Sequence, residues 1–232
     1  MAVTRMPAGF WVCIKQQIIA RRDPVHEEKI TFRDLSEYEN VDFQGFRGDI
    51  YVKEAIIPEG ASVIPKSQFF ECRSLEKVYL PESVSGIEDY AFADCHVLKV
   101  QESIEKLSLK SVGISAFENC YALEFVSLPD SLTVIGGAAF AECVSVNKPI
   151  FSDTSLLKKI GDHAFRGCRN LKEVYLPDSV EYVGVSAFRD CSSLEQISVS
   201  EKIKNQPGIA ELEKNCPNAR IRFREVNSVE KE

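Results

Sequence analysis

The segment Leu75-Glu-Lys-Val-Tyr-Leu-Pro-Glu-Ser-Val84 decides the fold, because the chain repeats it twice with small changes. The further copies begin at Leu123 and Leu171, each 48 residues after the one before. Every copy alternates its residues up to a Leu-Pro step, the pattern of a short strand buried on one face. Proline lacks an amide hydrogen, so it ends the strand.

The cysteines mark a shorter repeat inside the 48-residue one. From Cys72 onward, successive cysteines are separated alternately by 23 and 25 residues. A phenylalanine precedes each of the first six by three residues, and a valine or isoleucine precedes that phenylalanine by five. The regularly spaced cysteines are Cys72, Cys95, Cys120, Cys143, Cys168, Cys191 and Cys216. This self-similarity indicates a repeat architecture, with about eight units from Asp42 to Phe223.

The other half of each unit reads Val/Ile-Gly-x-x-Ala-Phe-x-x-Cys in its better copies. Apolar residues three to five apart are typical of a short helical or 3₁₀ turn. One unit cannot cover its own apolar face, so the units must stack, with parallel strands about 4.8 Å apart. The sequence therefore predicts an α/β solenoid with a parallel sheet on one side and short helical or 3₁₀ turns opposite. Its interior would hold columns of aliphatic, phenylalanine and cysteine side chains.

Together, the two halves of a unit form the motif Leu-x-x-Val-x-Leu-Pro-x-Ser-Val-x-x-Ile-Gly-x-x-Ala-Phe-x-x-Cys. This motif closely resembles the BspA-like class of leucine-rich repeats. The resemblance covers about 180 of the 232 residues. It implies a curved, horseshoe-like leucine-rich repeat solenoid with the parallel sheet on its concave face. It also implies adhesion or protein binding, the usual role of this family among surface and secreted proteins of bacteria and protists. The chain departs from the pattern in its looser alternate units and in its first 40 residues, which match no repeat.

Three regions follow from the repeat. Residues 44–224 are expected to form the leucine-rich repeat domain of about eight units. Residues 1–43 are expected to form an N-terminal capping segment, because the end of a solenoid would otherwise expose its apolar columns. Within this segment, the stretch from Lys29 to Leu35 is a candidate strand that extends the sheet. Residues 225–232 are expected to be a disordered acidic tail.

Composition and charge argue against some classes of function and location. The net charge of −7 argues against nucleic-acid binding, which requires a basic surface. No apolar run approaches the ~18–20 residues needed to cross a bilayer, so we expect no membrane insertion. Polar residues such as Lys15 interrupt the apolar stretch Ala8–Ala20, whereas the core of an export signal is unbroken. We expect a cytoplasmic location, because unpaired thiols favour a reducing compartment; the cell surface or secretion is the alternative.

The cysteines admit three interpretations. Zinc sites need Cys or His pairs two to four residues apart, and the sequence has no Cys-x-x-Cys. Neighbouring thiols of a column could form disulfides if their Cα atoms lay about 4.4–6.8 Å apart. The favoured interpretation is a column of buried free thiols that pack as small hydrophobic groups. Cys13 lies outside the spacing and has no assigned role.

No motif points to catalysis or to a cofactor. The sequence contains no glycine-rich phosphate-binding motif, and its glycines fall on the corners of the repeat. Its three histidines are not marked as members of a Ser-His-Asp or Cys-His arrangement. We therefore expect no catalytic residue, no cofactor and no metal ion.

The outward-facing residues of the predicted strands are the candidate binding surface. Aromatic and aliphatic residues lie there among charged ones, which is the composition of a recognition patch. Strand propensity alone would also favour tyrosine, phenylalanine and isoleucine at these positions. The candidate partner-binding residues are Ile56, Lys77, Tyr79, Phe125, Ile150, Glu173 and Tyr175.

Three functions remain open on the sequence. The first is a non-enzymatic protein–protein interaction module that binds a protein ligand of unknown identity on the concave sheet face. The second is an exported surface adhesin of the BspA-like type, which rests on the resemblance alone. The third is a structural subunit of a larger assembly that uses the unmatched N-terminal segment or the convex side.

Overall fold

The computed structural model describes residues 29–31, 46–57, 59–99 and 107–225. The chain winds into a parallel-sheet solenoid of about seven coils, and each regular coil carries two short strands joined by turns. All strand pairs in the described part of the chain are parallel, as stacking of equivalent coils requires. The predicted fold class is therefore confirmed.

One side of the solenoid, here called the first face, carries the longer strands. They are β1 (Lys29–Thr31), β2 (Glu54–Ile56), β4 (Lys77–Tyr79), β7 (Phe125–Ser127), β9 (Lys148–Ile150), β11 (Glu173–Tyr175), β13 (Gln196–Ser200) and β14 (Arg220–Arg224). They pair in the orders β1-β2-β4, β7-β9 and β11-β13-β14. The predicted strand at Lys29 is present and pairs with β2; the rest of the predicted cap, residues 1–28 and 32–43, lies outside the described residues.

A second sheet lies elsewhere on each coil, and the sequence did not predict it. Its strands are β3 (Val63–Ile64), β5 (Gly86–Ile87), β6 (Ser111–Val112), β8 (Val134–Ile135), β10 (Lys159–Ile160) and β12 (Tyr182–Val183). They form one six-stranded parallel sheet in chain order. The second residue of every strand is the repeated valine or isoleucine, and all six of these side chains are buried. The predicted aliphatic column is thus the inner face of this sheet.

Turns occupy the place where the sequence predicted helical or 3₁₀ segments. Around Phe69, alternate amides bond to the carbonyl three residues back, as in a 3₁₀ helix, while the amide of Phe69 itself donates to Ala91 of the next coil. Residues two before and two after the phenylalanine have positive φ, 55° at Ser67 and 60° at Glu71. The same two positions have positive φ in the five following coils. These residues interrupt the helical conformation, so the segment is a series of turns bonded from coil to coil.

The interior is built from the predicted columns. Seven phenylalanine rings from Phe46 to Phe188 stack with centroids 5.2–5.9 Å apart and planes within 14° of parallel. The spaced cysteines from Cys72 to Cys216 are all buried. Since each coil repeats the same contacts with its neighbour, stability accumulates from one interface to the next.

The last coil departs from the repeat. Glu213 stands in the phenylalanine position, and short helices replace the turns: a 3₁₀ helix (Glu201–Ile203), α1 (Pro207–Ala210) and α2 (Leu212–Asn215). Strand β14 then closes the first face against β13 over five residues. This end has the polar, charged composition expected of a terminal cap. None of the helices in the described ranges is long and apolar enough to span a bilayer. Residues 226–232, most of the predicted tail, lie outside the described residues.

Candidate protein-interaction face

The outward residues of the first face lie in register from strand to strand. In β2 and β4 the middle residue is buried and the two flanking residues are half-buried, so alternate side chains point outward. Glu54 pairs with Lys77, and Ile56 pairs with Tyr79. The structure therefore brings Ile56, Lys77 and Tyr79, three of the predicted residues, together on one patch.

The remaining predicted residues occupy equivalent strand positions farther along the solenoid. Phe125 lies in β7 opposite Lys148 of β9, and Ile150 lies opposite Ser127. Glu173 and Tyr175 flank a buried valine in β11, with Glu173 exposed and Tyr175 half-buried. Ile56, Lys77, Tyr79, Glu173 and Tyr175 thus lie in the outward columns, and Phe125 and Ile150 hold the equivalent register positions in their strands. Their role in partner binding stays a prediction.

Charged side chains border the patch on its Lys77 side. Lys77 Nζ lies 3.5 Å from Glu54 Oε1, with both side chains partly exposed. A pair of this kind contributes little to stability, because water screens it. Lys77 also borders a shallow groove of about 570 Å³, whose other lining residues are Lys53, Arg73, Ser74, Glu76, Val97, Lys99 and Ala122. The groove is lined by four basic residues and one acidic one.

Tyr175 holds a contact that the sequence did not predict. The guanidinium carbon of Arg224 lies 3.9 Å from the centre of the Tyr175 ring. Arg224 Nη1 donates to the Tyr175 hydroxyl, and Nη2 donates to the carbonyl of Leu176. Nη2 also lies 3.1 Å from Asp178 Oδ1. Burial, followed by a hydrogen bond to Asp153, raises the pKa of Tyr175 above its ordinary value.

Sequence reasoning missed Arg224 because the residue lies in the last coil, where the repeat pattern is lost. The stretch Arg220–Arg224 carries three arginines and follows Cys216, the last of the regularly spaced cysteines. Register with β13 decides the contact: Tyr175 pairs with Ser198, and Arg224 pairs with Ser200 one strand farther on. The small serines leave the long arginine side chain room to reach back across β13.

The thiols form a column of hydrogen bonds between coils. Each of the seven Sγ–H groups donates to the carbonyl of the phenylalanine in the preceding coil, at 3.0–3.2 Å. Burial is the main cause that raises the pKa of Cys143 above its ordinary value and that of Cys216 to about 11. For the six cysteines from Cys95 to Cys216, the interpretation as buried free thiols is thus confirmed, and the disulfide alternative is wrong. In the described ranges, no group of three or more His, Cys, Asp or Glu side chains is arranged to hold a metal ion.

Comparison with known proteins agrees with this geometry. Residues 39–154 and 110–210 match the model of the BspA-type leucine-rich repeat region, in six copies. The chain belongs to the BspA-type leucine-rich repeat family. A leucine-rich repeat protein of T. pallidum is 27% identical, with a TM-score of 0.58 over 72% of this chain and 78% of that one. Membership of the BspA-type family indicates a protein-interaction or surface-repeat role.

A second solved structure supports the fold of this BspA-type protein. A leucine-rich repeat protein from Bacteroides ovatus is 21% identical, with a TM-score of 0.58 over 90% of this chain and 71% of that one. At this identity the likeness establishes the shared solenoid alone. A search of curated proteins finds no match to the sequence.

Proposed function

We propose that this protein is a non-enzymatic interaction module that binds a protein ligand on the first face, the predicted concave side. One observation carries the proposal: the outward columns of β2 and β4 place Ile56 and Tyr79 side by side, next to Glu54 and Lys77. An amphipathic aromatic residue with an aliphatic neighbour and a charged border is the usual composition of an interface centre. The ligand's identity is unknown, and nucleic acid is not expected at net charge −7.

The repeat itself supports a binding role for this patch. Positions that hold the coils together carry the same residue type in coil after coil, as the stacked rings do. The outward position after the buried strand residue instead changes from Ile56 to Tyr79 and later to Ser198. Stacking does not fix the residue type at this position, so the position can serve recognition of one particular ligand.

Affinity purification from the native source tests the proposal with matched variants. The test variant combines Ile56→Ser and Tyr79→Ser on the first face. The control combines Val63→Ser and Tyr182→Ser, which remove the same kinds of side chain from the second sheet. The proposal expects the test variant to lose partners that the control and the natural chain retain. Equal retention by all three, with equal unfolding free energies, would overturn it.

The same purification separates the two alternatives. A structural subunit that uses the N-terminal segment would keep its partners in the first-face variant. An exported adhesin would be recovered from the cell surface or the medium. We propose a cytoplasmic location, supported by the six unpaired thiols from Cys95 to Cys216. Recovery of the protein only from surface or secreted fractions would contradict that location.

A further inference from the structure

The first face ends at β14, and the backbone along the outer edge of this strand has no neighbouring strand. β14 is the last member of the order β11-β13-β14. The amide of Arg220 donates to the carbonyl of Glu195, the residue before β13. In a parallel pair, alternate residues direct both backbone groups towards the neighbouring strand, so Arg220 and every second residue after it face β13. The amides and carbonyls of Ile221 and Phe223 point the other way, where the described residues supply no further strand.

The inner side chains of β14 leave apolar surface at the end of the solenoid. Register places Ile221 beside Ile197. It places Phe223 beside Val199, and both of these β13 residues are buried. Ile221 packs against the core, whereas Phe223 is 47% exposed. The equivalent inner residue of β11, Val174, is buried because the next coil covers it. An added strand with apolar inner side chains would cover Phe223 in the same way.

The outer side chains of the same strand are basic. Arg220 and Arg222 alternate with the inner residues, and both are exposed. Among the described residues neither forms an ion pair, whereas Arg224 pairs with Asp178. Two exposed positive charges therefore stand at the edge of a protein whose net charge is −7. Acidic side chains on an added strand would lie opposite these arginines, and opposite charges across a sheet stabilise the pairing.

The same charges argue against a second copy of this chain as the added strand. Arginine holds every second position from 220 to 224. Two fully overlapping β14 strands would therefore place arginine opposite arginine, whether they ran parallel or antiparallel. Like charges directly opposite each other destabilise a sheet, and charged side chains on edge strands commonly prevent such self-pairing. The edge is thus suited to a strand of different composition.

We propose that β14 binds an extended segment of a partner protein as an added strand, in which acidic residues alternate with apolar ones. The backbone of the segment would bond to that of Ile221 and Phe223. Its acidic side chains would face Arg220 and Arg222, and its apolar side chains would cover Phe223. In this mode the backbone bonds give affinity, and the alternating side chains give specificity. The site lies at the end of the solenoid, apart from the patch around Tyr79, so its test is independent of the proposed function.

A nuclear magnetic resonance titration of the full chain tests the site with the peptide acetyl-Glu-Val-Glu-Val-Glu-amide. Binding is expected to slow hydrogen exchange of the Ile221 and Phe223 amides, which point away from β13. The amides of Arg220 and Arg222 face β13 and serve as the internal control, so their exchange should change less. The matched peptide with lysine in place of each glutamate should bind about fivefold more weakly. Equal binding of the two peptides, or slower exchange only outside β14, would overturn the site.

The variant Ile221→Pro tests the backbone part of the site. Proline is tolerated on an edge strand where the missing N–H faces solvent, so the pairing with β13 should persist. The variant is expected to lose binding of the acidic peptide, while the matched control Ile221→Val should retain it. Urea denaturation checks that both variants are folded. Binding of the peptide by folded Ile221→Pro with unchanged affinity would overturn the proposed strand addition.

The variant Arg222→Glu tests the charge part and does not depend on the proline variant. It should weaken binding of the acidic peptide by about fivefold and strengthen binding of the lysine peptide. An unchanged preference for the acidic peptide would overturn the proposed chemistry of the partner. Sedimentation of the natural chain tests the other occupant. Dimers that form with rising concentration and disappear in Ile221→Pro would assign the edge to a second copy and would also overturn the proposal.

Discussion

The interior of the solenoid and its first face follow opposite rules. In the interior every coil repeats the same contacts: stacked rings 5.2–5.9 Å apart and thiols 3.0–3.2 Å from the preceding carbonyl. On the first face, equivalent positions hold Ile56, Tyr79 and Ser198, and Tyr175 is covered by Arg224. The difference teaches that the repeated residues specify stacking, while stacking does not fix the outward residues of the first face.

The largest effect is expected from the ring column. Phe140→Ala removes a fully buried ring that stacks on neighbours on both sides. The cavity should lower the free energy of unfolding by about 3–5 kcal/mol, measured by urea denaturation. Tyr79→Ala removes a similar ring from the first face and should cost less than about 1 kcal/mol. Equal losses of unfolding free energy for the two variants would contradict the proposed difference between the interior and the first face.

A smaller effect is expected at Gly136, where the backbones of two neighbouring coils lie close together. A Cβ on Gly136 would lie 2.5 Å from the backbone of Gly113, so the coils would have to separate. Gly136→Ala should cost about 1–3 kcal/mol of unfolding free energy. The adjacent Gly137 is the control, because its Cβ would meet nothing closer than 3.3 Å. If Gly137→Ala lowered the unfolding free energy as much as Gly136→Ala, the close approach of the coils would not explain the glycine at position 136.

The thiol column predicts a loss of stability at alkaline pH. Unfolded thiols ionise near pH 9, whereas burial raises the pKa of Cys216 to about 11 and that of Cys143 as well. The unfolded state therefore loses its thiol protons first, and the thiol contribution to stability, complete below pH 9, falls as the pH rises. Each thiol should contribute a slope of up to ~1.4 kcal/mol per pH unit. For Cys216 this loss should end near pH 11.

Denaturation at pH 7, 9 and 10 checks this prediction. The difference between the natural chain and Cys143→Ala isolates one thiol from the tyrosines and lysines that titrate in the same range. Above pH 9, the unfolding free energy of the natural chain should fall more steeply with pH than that of Cys143→Ala. Near pH 7 the two proteins should show the same pH dependence. If the unfolding free energies of the two proteins changed in parallel with pH, folding would not raise the pKa of Cys143.

The smallest effect is expected at the contact between Arg224 of the last strand and Tyr175 on the first face. Arg224→Ala removes the ring contact with Tyr175 and the ion pair with Asp178, both partly exposed. The loss should be about 0.5–1 kcal/mol and local to β14. Hydrogen exchange should show faster exchange of the β14 amides, with the β8 amides unchanged. Uniform acceleration across the chain would mean that Arg224 supports the whole fold.

The interior of the fold was readable from the sequence because its signature repeats. The spacing of Phe92, Cys95 and their equivalents predicted the columns, and the outward columns followed from the alternation in strands such as β4. The second sheet was not readable, since two-residue strands such as Val63–Ile64 are too short to show an alternating pattern. The positive φ of residues such as Ser67 could not be predicted either, because glycine is the usual sequence signal for positive φ and these positions hold other residues.

The candidate site was only partly readable. The repeat placed Ile56, Lys77 and Tyr79 together, because residues at equal positions in the repeat fall side by side. The contact between Tyr175 and Arg224 joins residues 49 apart and depends on β14, a strand of the last coil, where the repeat pattern is lost. Such a contact follows from the register of the terminal strand, which only the three-dimensional structure supplies.

Site-specific photo-crosslinking in the native source tests the central claim most directly. A photoreactive phenylalanine analogue replaces Tyr79 on the first face in one protein and Tyr182 on the second sheet in another. The account predicts a crosslinked protein partner from position 79 and none from position 182. Crosslinking of the same partner from position 182, with none from position 79, would contradict it.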